Sequence, residues 1–134
     1  MSENEIPGAV RDFVFEYIDS VEQLEILLLL ESDSSKSWSA EDLSSQLRST
    51  LNSIEKRLSL LSWQGLIKKN EEAKYYFFLE EKNLKETVHS LADFYRVHRY
   101  KILELIFSPM KKSRDLAEAF RLSPSKPTKG DSNG

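Results

Sequence analysis

The chain has 134 residues, 40% of them hydrophobic and 31% charged, which is the length and balance of one globular domain. It contains no cysteine, so disulfides, thiolate metal sites and cysteine nucleophiles are excluded. The net charge of −3 is unevenly spread: residues 1–35 carry nine acids and one base, 36–79 seven bases and five acids, and 80–134 eleven bases and eight acids, so any nucleic-acid footprint is expected after the first third.

The opening MSENEIPG lacks the basic, apolar, small-residue order of a secretory signal. The most apolar run, Leu24 to Leu30, is interrupted by Glu25 and is far shorter than the roughly 18 residues of a membrane span. A cytoplasmic protein with no membrane segment is expected. Pro7 and the spacing of Val10, Phe13, Val14, Tyr17 and Ile18 predict a leading helix over 7–18. Ser20 with Gln23 three residues on is a capping-box pattern, opening a helix over about 20–31 that is apolar nearly all round and therefore buried. After the polar loop SDSSKS, Ser39 caps a helix that turns Leu43 and Leu47 inward, with Trp38 placed to act as a hydrophobic staple. Thr50 caps the next helix, whose Ile54, Leu58 and Leu61 form one face and which ends before Gly65.

Residues 66–79, LIKKNEEAKYYFFL, predict two strands around a polar tip at Asn70 to Ala73. From 81 to 107 a single long helix is expected, in which Leu84, Val88, Leu91, Tyr95, His98, Ile102 and Leu105 alternate at spacings of four and three. Phe94, Val97, Leu103 and Ile106 add a second apolar face, so the seam is a candidate homodimer interface as well as a candidate core contact. Pro109 is read as the end of that helix. A short helix over 113–122 and a disordered Pro/Gly/Ser tail over 123–134 complete the expectation.

The order of three helices followed by a two-stranded wing resembles the winged helix-turn-helix domain of bacterial regulators of the multiple-antibiotic-resistance-repressor and arsenic-repressor kinds. The likeness runs from about Ser20 to Leu79 and is sharpest over DLSSQLRSTLNSIEKRLSLLSWQGLI, residues 42–67. The family pattern of acid-Leu, small residue, Leu, turn, Ser/Thr cap, Thr-Val, helical Leu and Gly-Leu-Val falls on Asp42-Leu43, Ser44, Leu47, Thr50, Ser53-Ile54, Leu58, Leu61 and Gly65-Leu66-Ile67. Arg48, standing where a turn glycine is frequent, and Ser49, standing where an apolar residue is usual, depart from it, and a looser or reshaped turn is expected there. The resemblance implies a mainly α fold with a small β-hairpin wing and a long C-terminal helix, in one domain over 1–122.

It also implies a DNA-binding transcriptional regulator acting as a homodimer on double-stranded DNA. The DNA-facing positions then fall on Arg48, Thr50, Asn52, Ser53, Glu55, Lys56 and Arg57, with the wing contributing Lys68, Lys69 and Lys74. Asn52 suits adenine, Lys56 guanine or a phosphate, and Glu55 a cytosine amino group. Glu71 and Glu72 make the wing tip acidic, which suits a phosphate-lined groove poorly. The alternative is a winged helix used as a protein-interaction module without DNA binding, its acidic Asp12, Glu16, Asp19, Glu22 and Glu25 matching a basic partner.

Nothing in the pattern calls for a cofactor, a metal or an active site. His89 and His98 lie nine residues apart on one expected helix and point to different azimuths, and no glycine-rich phosphate loop occurs. The serines sit where caps and loops need them, and the paired carboxylates are adjacent surface charges. A non-enzyme is expected.

Overall fold

The computed structural model describes residues 5–111. Six helices and one hairpin follow in the order α1 (Gly8–Tyr17), α2 (Val21–Ser32), α3 (Ala40–Leu47), α4 (Leu51–Trp63), β1 (Ile67–Lys69), β2 (Tyr75–Phe77), α5 (Lys82–Val97) and α6 (Arg99–Ile106). The protein is thus mainly helical with a small antiparallel sheet. The expected helix at 113–122 and the tail at 123–134 lie outside the described residues.

α2 is the axle of the fold. Leu24, Ile26, Leu27 and Leu30 are fully buried, and the helix packs against α4, α5 and β2. Burying a residue of this size contributes about 1.5–3 kcal/mol, so these four set the core. α1 lies against α5 and α6 through Val10, Phe13 and Val14, and α3 lies on α4 through Leu43. Serine and threonine caps start the central helices: the side chains of Ser20, Ser39 and Thr50 accept from the backbone N–H groups of Gln23, Asp42 and Ser53.

Gln23 is completely buried and closes a junction of three helices. Its side-chain oxygen accepts from the Asp19 amide at 2.6 Å, and its Nε2 donates to the Tyr17 carbonyl at 2.7 Å and to Gln64 Oε1 at 3.1 Å. Gln64 Nε2 donates to the same Tyr17 carbonyl at 2.8 Å. The end of α1, the start of α2 and the end of α4 are thereby held at one point.

α4 ends in a Schellman turn. Gly65 takes φ 80°, the Leu66 amide donates to the Leu61 carbonyl at 3.1 Å and the Gly65 amide to Ser62 at 3.0 Å, while Leu61 and Leu66 are both buried. The chain then enters β1, which pairs with β2 in the register Ile67 with Phe77, Lys68 with Tyr76 and Lys69 with Tyr75. Asn70 closes the tip: its amide donates to the Lys74 carbonyl, and its side-chain oxygen accepts from the amides of Glu72 and Lys74.

Four expectations are corrected here. Trp38 is not only a staple, because its backbone exchanges two hydrogen bonds with Tyr75, at 2.8 and 2.7 Å, and so adds a third rung beside β2. The single helix over 81–107 is two helices, broken at His98, where φ −123° and ψ 50° leave the helical region. The break turns Ile102 and Ile106 into the core beside α1, which a straight continuation of α5 would carry past. Glu25 straddles it, accepting from Tyr95 Oη at 2.9 Å on one side and from Arg99 Nη2 at 3.0 Å on the other.

The third correction follows from the second. Among the seam residues, Val88, Leu91 and Ile102 are fully buried inside the chain, while Leu84, Tyr95 and Leu105 pack against the same core. His98 sits at the break with its ring 4.8 Å from that of Phe94. These seven do not form a continuous face open to a second copy. Pro109 does not simply end α6 either: residues 109–111 are helical, and the Ser108 hydroxyl accepts from the Lys111 amide at 3.1 Å, so the proline sits in the first turn of a new helical start.

Candidate nucleic-acid interface

α3 and α4 meet at a tight turn. Arg48 adopts the left-handed conformation, φ 56° and ψ 45°, and its amide donates to the Ser44 carbonyl. A turn of this shape favours glycine, so the arginine keeps the geometry that the frequent glycine implies and leaves its side chain exposed. The hydroxyl of Thr50 is occupied as the α4 cap.

α4 has an anchored side and an open side. Ser53 Oγ donates to Glu22 Oε1, and Arg57 Nε donates to the same oxygen at 3.1 Å. Burial pushes the Glu22 carboxyl up, but hydrogen bonds from Ser49, Ser53 and Arg57 outweigh it and hold the group below the ordinary carboxylate range. Ser53 and Arg57, expected to face DNA, are therefore committed to holding α4 on α2. Asn52, Glu55 and Lys56 are exposed and make no hydrogen bond or ion pair among the described residues. Leu51, beside them at the start of the helix, is 38% exposed.

The hairpin brings cations alongside. Lys68 Nζ lies 4.7 Å from the centroid of the Phe78 ring, and Lys69 Nζ lies 5.7 Å from that of Tyr75. Such contacts are worth about 0.5–1 kcal/mol at exposed sites, enough to bias the ammonium groups without withdrawing them from a ligand. Lys74 is half-buried at the end of the tip, and Glu71 and Glu72 are exposed on it.

Between α4 and the hairpin runs an open groove of about 480 Å³, lined by Ser59, Ser62, Ile67, Lys68, Lys69 and Tyr75. Sequence reasoning missed Ser59 and Ser62, because helical serines carry no signal until a neighbouring element is placed. It also missed Lys36, whose Nζ sits 3.8 Å from the Trp38 ring centroid and so adds a cation beside the third rung. The strand-forming tryptophan ahead of the Ser39 cap was the available clue.

The structure therefore divides the predicted residues. Arg48, Asn52, Glu55, Lys56, Lys68 and Lys69 are exposed and open, whereas Thr50, Ser53 and Arg57 serve the scaffold. Among the described residues, no group of three His, Asp or Glu side chains converges as a metal site would require, and no helix is long and apolar enough to cross a membrane. No protein-family model, curated protein or solved structure matches the chain.

Proposed function

We propose that the protein is a winged helix-turn-helix DNA-binding regulator without catalytic activity, working in the cytoplasm. The observation that carries the reading is the two-sidedness of α4: its inner side is fixed by Glu22, and its outer side offers Asn52, Glu55 and Lys56 unpartnered beside a hairpin with two exposed lysines. A helix that reads base edges needs this division, because a mobile reader loses register. Asn52, Glu55 and Lys56 would meet base edges in the major groove. Arg48, Lys68 and Lys69 would meet phosphates, which position the protein rather than specify a sequence. The groove between α4 and the hairpin would take the strand of sugar-phosphate that separates one DNA groove from the next. The hairpin would engage through its strand lysines, Lys68 and Lys69, rather than through its acidic tip.

Pairing of two copies belongs to the same reading, on a face other than the long seam. Tyr100 on α6 and Phe107 just past its end, 62% and 60% exposed, would supply the apolar contact across a two-fold axis.

Fluorescence anisotropy with mixed-sequence duplex DNA over a salt series tests the DNA reading. Binding should weaken steeply with salt, and Lys56→Ala should lower the salt slope by about one. No binding at low salt, or binding indifferent to both Lys56→Glu and Lys69→Glu, would overturn it. The protein-interaction alternative would then gain from Trp63, which is 85% exposed at the end of α4.

A further inference from the structure

α4 carries one exposed side chain that serves no part of the scaffold. Trp63, the last residue of the helix, is 85% exposed, and its side chain makes no hydrogen bond, ring contact or cation contact among the described residues. The other tryptophan, Trp38, is buried in the third rung beside β2. Aromatic side chains bury about 150–250 Å² when they are covered, so an uncovered indole is the strongest apolar contact this helix has to offer.

Its azimuth ties it to the open side of the helix. At about 100° per residue, Asn52, Lys56, Ser59 and Trp63 fall within about 60° of one another, and all four are exposed, while Ile54, Leu58 and Leu61 face the core. Glu55 borders the same stripe. The indole therefore continues the open side by one turn past Ser59, which lines the groove together with Lys68 and Lys69. At about 1.5 Å per residue, Trp63 lies about 16 Å along the axis from Asn52. The major groove is about 8.5 Å deep and about 12 Å wide, so a helix whose Asn52 reaches the bases holds Trp63 at the groove's edge, where deoxyribose and phosphate lie.

We propose that Trp63 is a contact to the DNA backbone: the indole face packs on a deoxyribose, and Nε1–H donates to a phosphate oxygen at the rim of the major groove. The proposal rests on the DNA reading and adds a contact of a different kind. An indole is uncharged and releases no condensed counterion, whereas Lys56, Lys68 and Lys69 act through charge. Charge favours duplex DNA over a second copy or another protein as the occupant. The stripe leading to Trp63 holds Asn52, Lys56 and Ser59, and the facing wall of the groove holds two lysines, whereas the core of a protein–protein interface is depleted in charged residues.

Two readouts test the contact. In anisotropy titrations, Trp63→Ala should raise the Kd about tenfold, equally on duplexes of different sequence, and leave the slope of affinity against salt unchanged. Trp63→Phe, which keeps a ring and loses the N–H, should fall between the two. Because the side chain is exposed, both variants should melt within about 1 °C of the parent. The second readout is acrylamide quenching of tryptophan fluorescence in the parent, with Trp63→Phe supplying the Trp38 background, since the chain has two tryptophans. Trp63 should be freely quenched in the unbound protein at every protein concentration and protected at saturating duplex. Duplex binding by Trp63→Ala equal to the parent's, or an indole still freely quenched at saturating duplex, would overturn the proposal and leave the DNA reading standing. Protection that grows with protein concentration in the absence of DNA would assign the indole to a second copy and overturn it too. Failure of the parent itself to bind duplex at low salt would remove the DNA reading and this contact together.

Discussion

Arg48 holds a backbone conformation that costs a side-chain-bearing residue about 1–2 kcal/mol, whereas glycine there gives back about 0.5–1 kcal/mol in unfolded-state entropy. Arg48→Gly should therefore leave the protein equally stable or up to about 1 kcal/mol more stable in thermal unfolding, while weakening DNA binding by a sequence-independent amount. At Gly65 the argument reverses. A Cβ would meet nothing within 4 Å, but φ 80° is already spent on the turn, so Gly65→Ala should cost about 1 kcal/mol. Glu22 adds a pH dependence. A carboxyl held below its ordinary range stabilises the fold at pH above the unfolded value, and that contribution is lost as the pH falls through the folded value. The melting temperature of the wild type should thus exceed that of Glu22→Gln at neutral pH, and the gap should close as the pH drops below the ordinary carboxylate range. That a turn lies between Leu47 and the Thr50 cap was legible from the local helix signals, but the left-handed conformation of Arg48 was not. The Glu22 cluster was not, since Ser53 and Arg57 lie 31 and 35 residues away and no local pattern links them.

Among the elements, the caps and short helices were legible because their signals are local: a hydroxyl three residues before an amide, a glycine one residue past a helix. The break at His98 carries no such mark. No proline or glycine interrupts residues 81–107, and the spacing of four and three continues through the bend, so periodicity reads one helix where tertiary contacts make two. Ion pairing to Glu25 and burial of Ile102 decide the matter, and both depend on where α2 and α1 lie. The junction at Gln23 makes a measurable claim at this scale. Gln23→Leu removes the acceptor of the Asp19 amide and the donor to Gln64 Oε1, leaving two polar groups without these partners, while the Tyr17 carbonyl keeps Gln64 Nε2. Each costs about 1–3 kcal/mol, so chemical denaturation should show a loss of at least about 2 kcal/mol.

At the scale of the whole molecule, the uneven charge read from the sequence has a spatial outcome. Part of the acidic first third turns inward to organise the fold, through Glu22 on Arg57 and Glu25 on Arg99. Asp12 and Glu16 line an open depression between α1 and α5. The seam expected to join two copies is consumed in forming one. Under the proposed pairing through Tyr100 and Phe107, Tyr100→Ser with Phe107→Ser should shift sedimentation toward the monomer while leaving the melting temperature within about 1 °C. The equivalent change of Leu91→Ser should abolish folding instead. The candidate site was legible as a set of residue types. Which of them are free depends on long-range partners, and that could not be read from spacing.

The anchoring of α4 by its inner side has a consequence for altering the protein. Because Ile54, Leu58, Ser53 and Arg57 set the pose of the helix, the identities of residues 52, 55 and 56 are uncoupled from that pose. Those three positions form an alphabet that can be rewritten: randomised together, most combinations should fold as well as the parent, and a library of them can be sorted for new recognition without co-selecting repairs to the core.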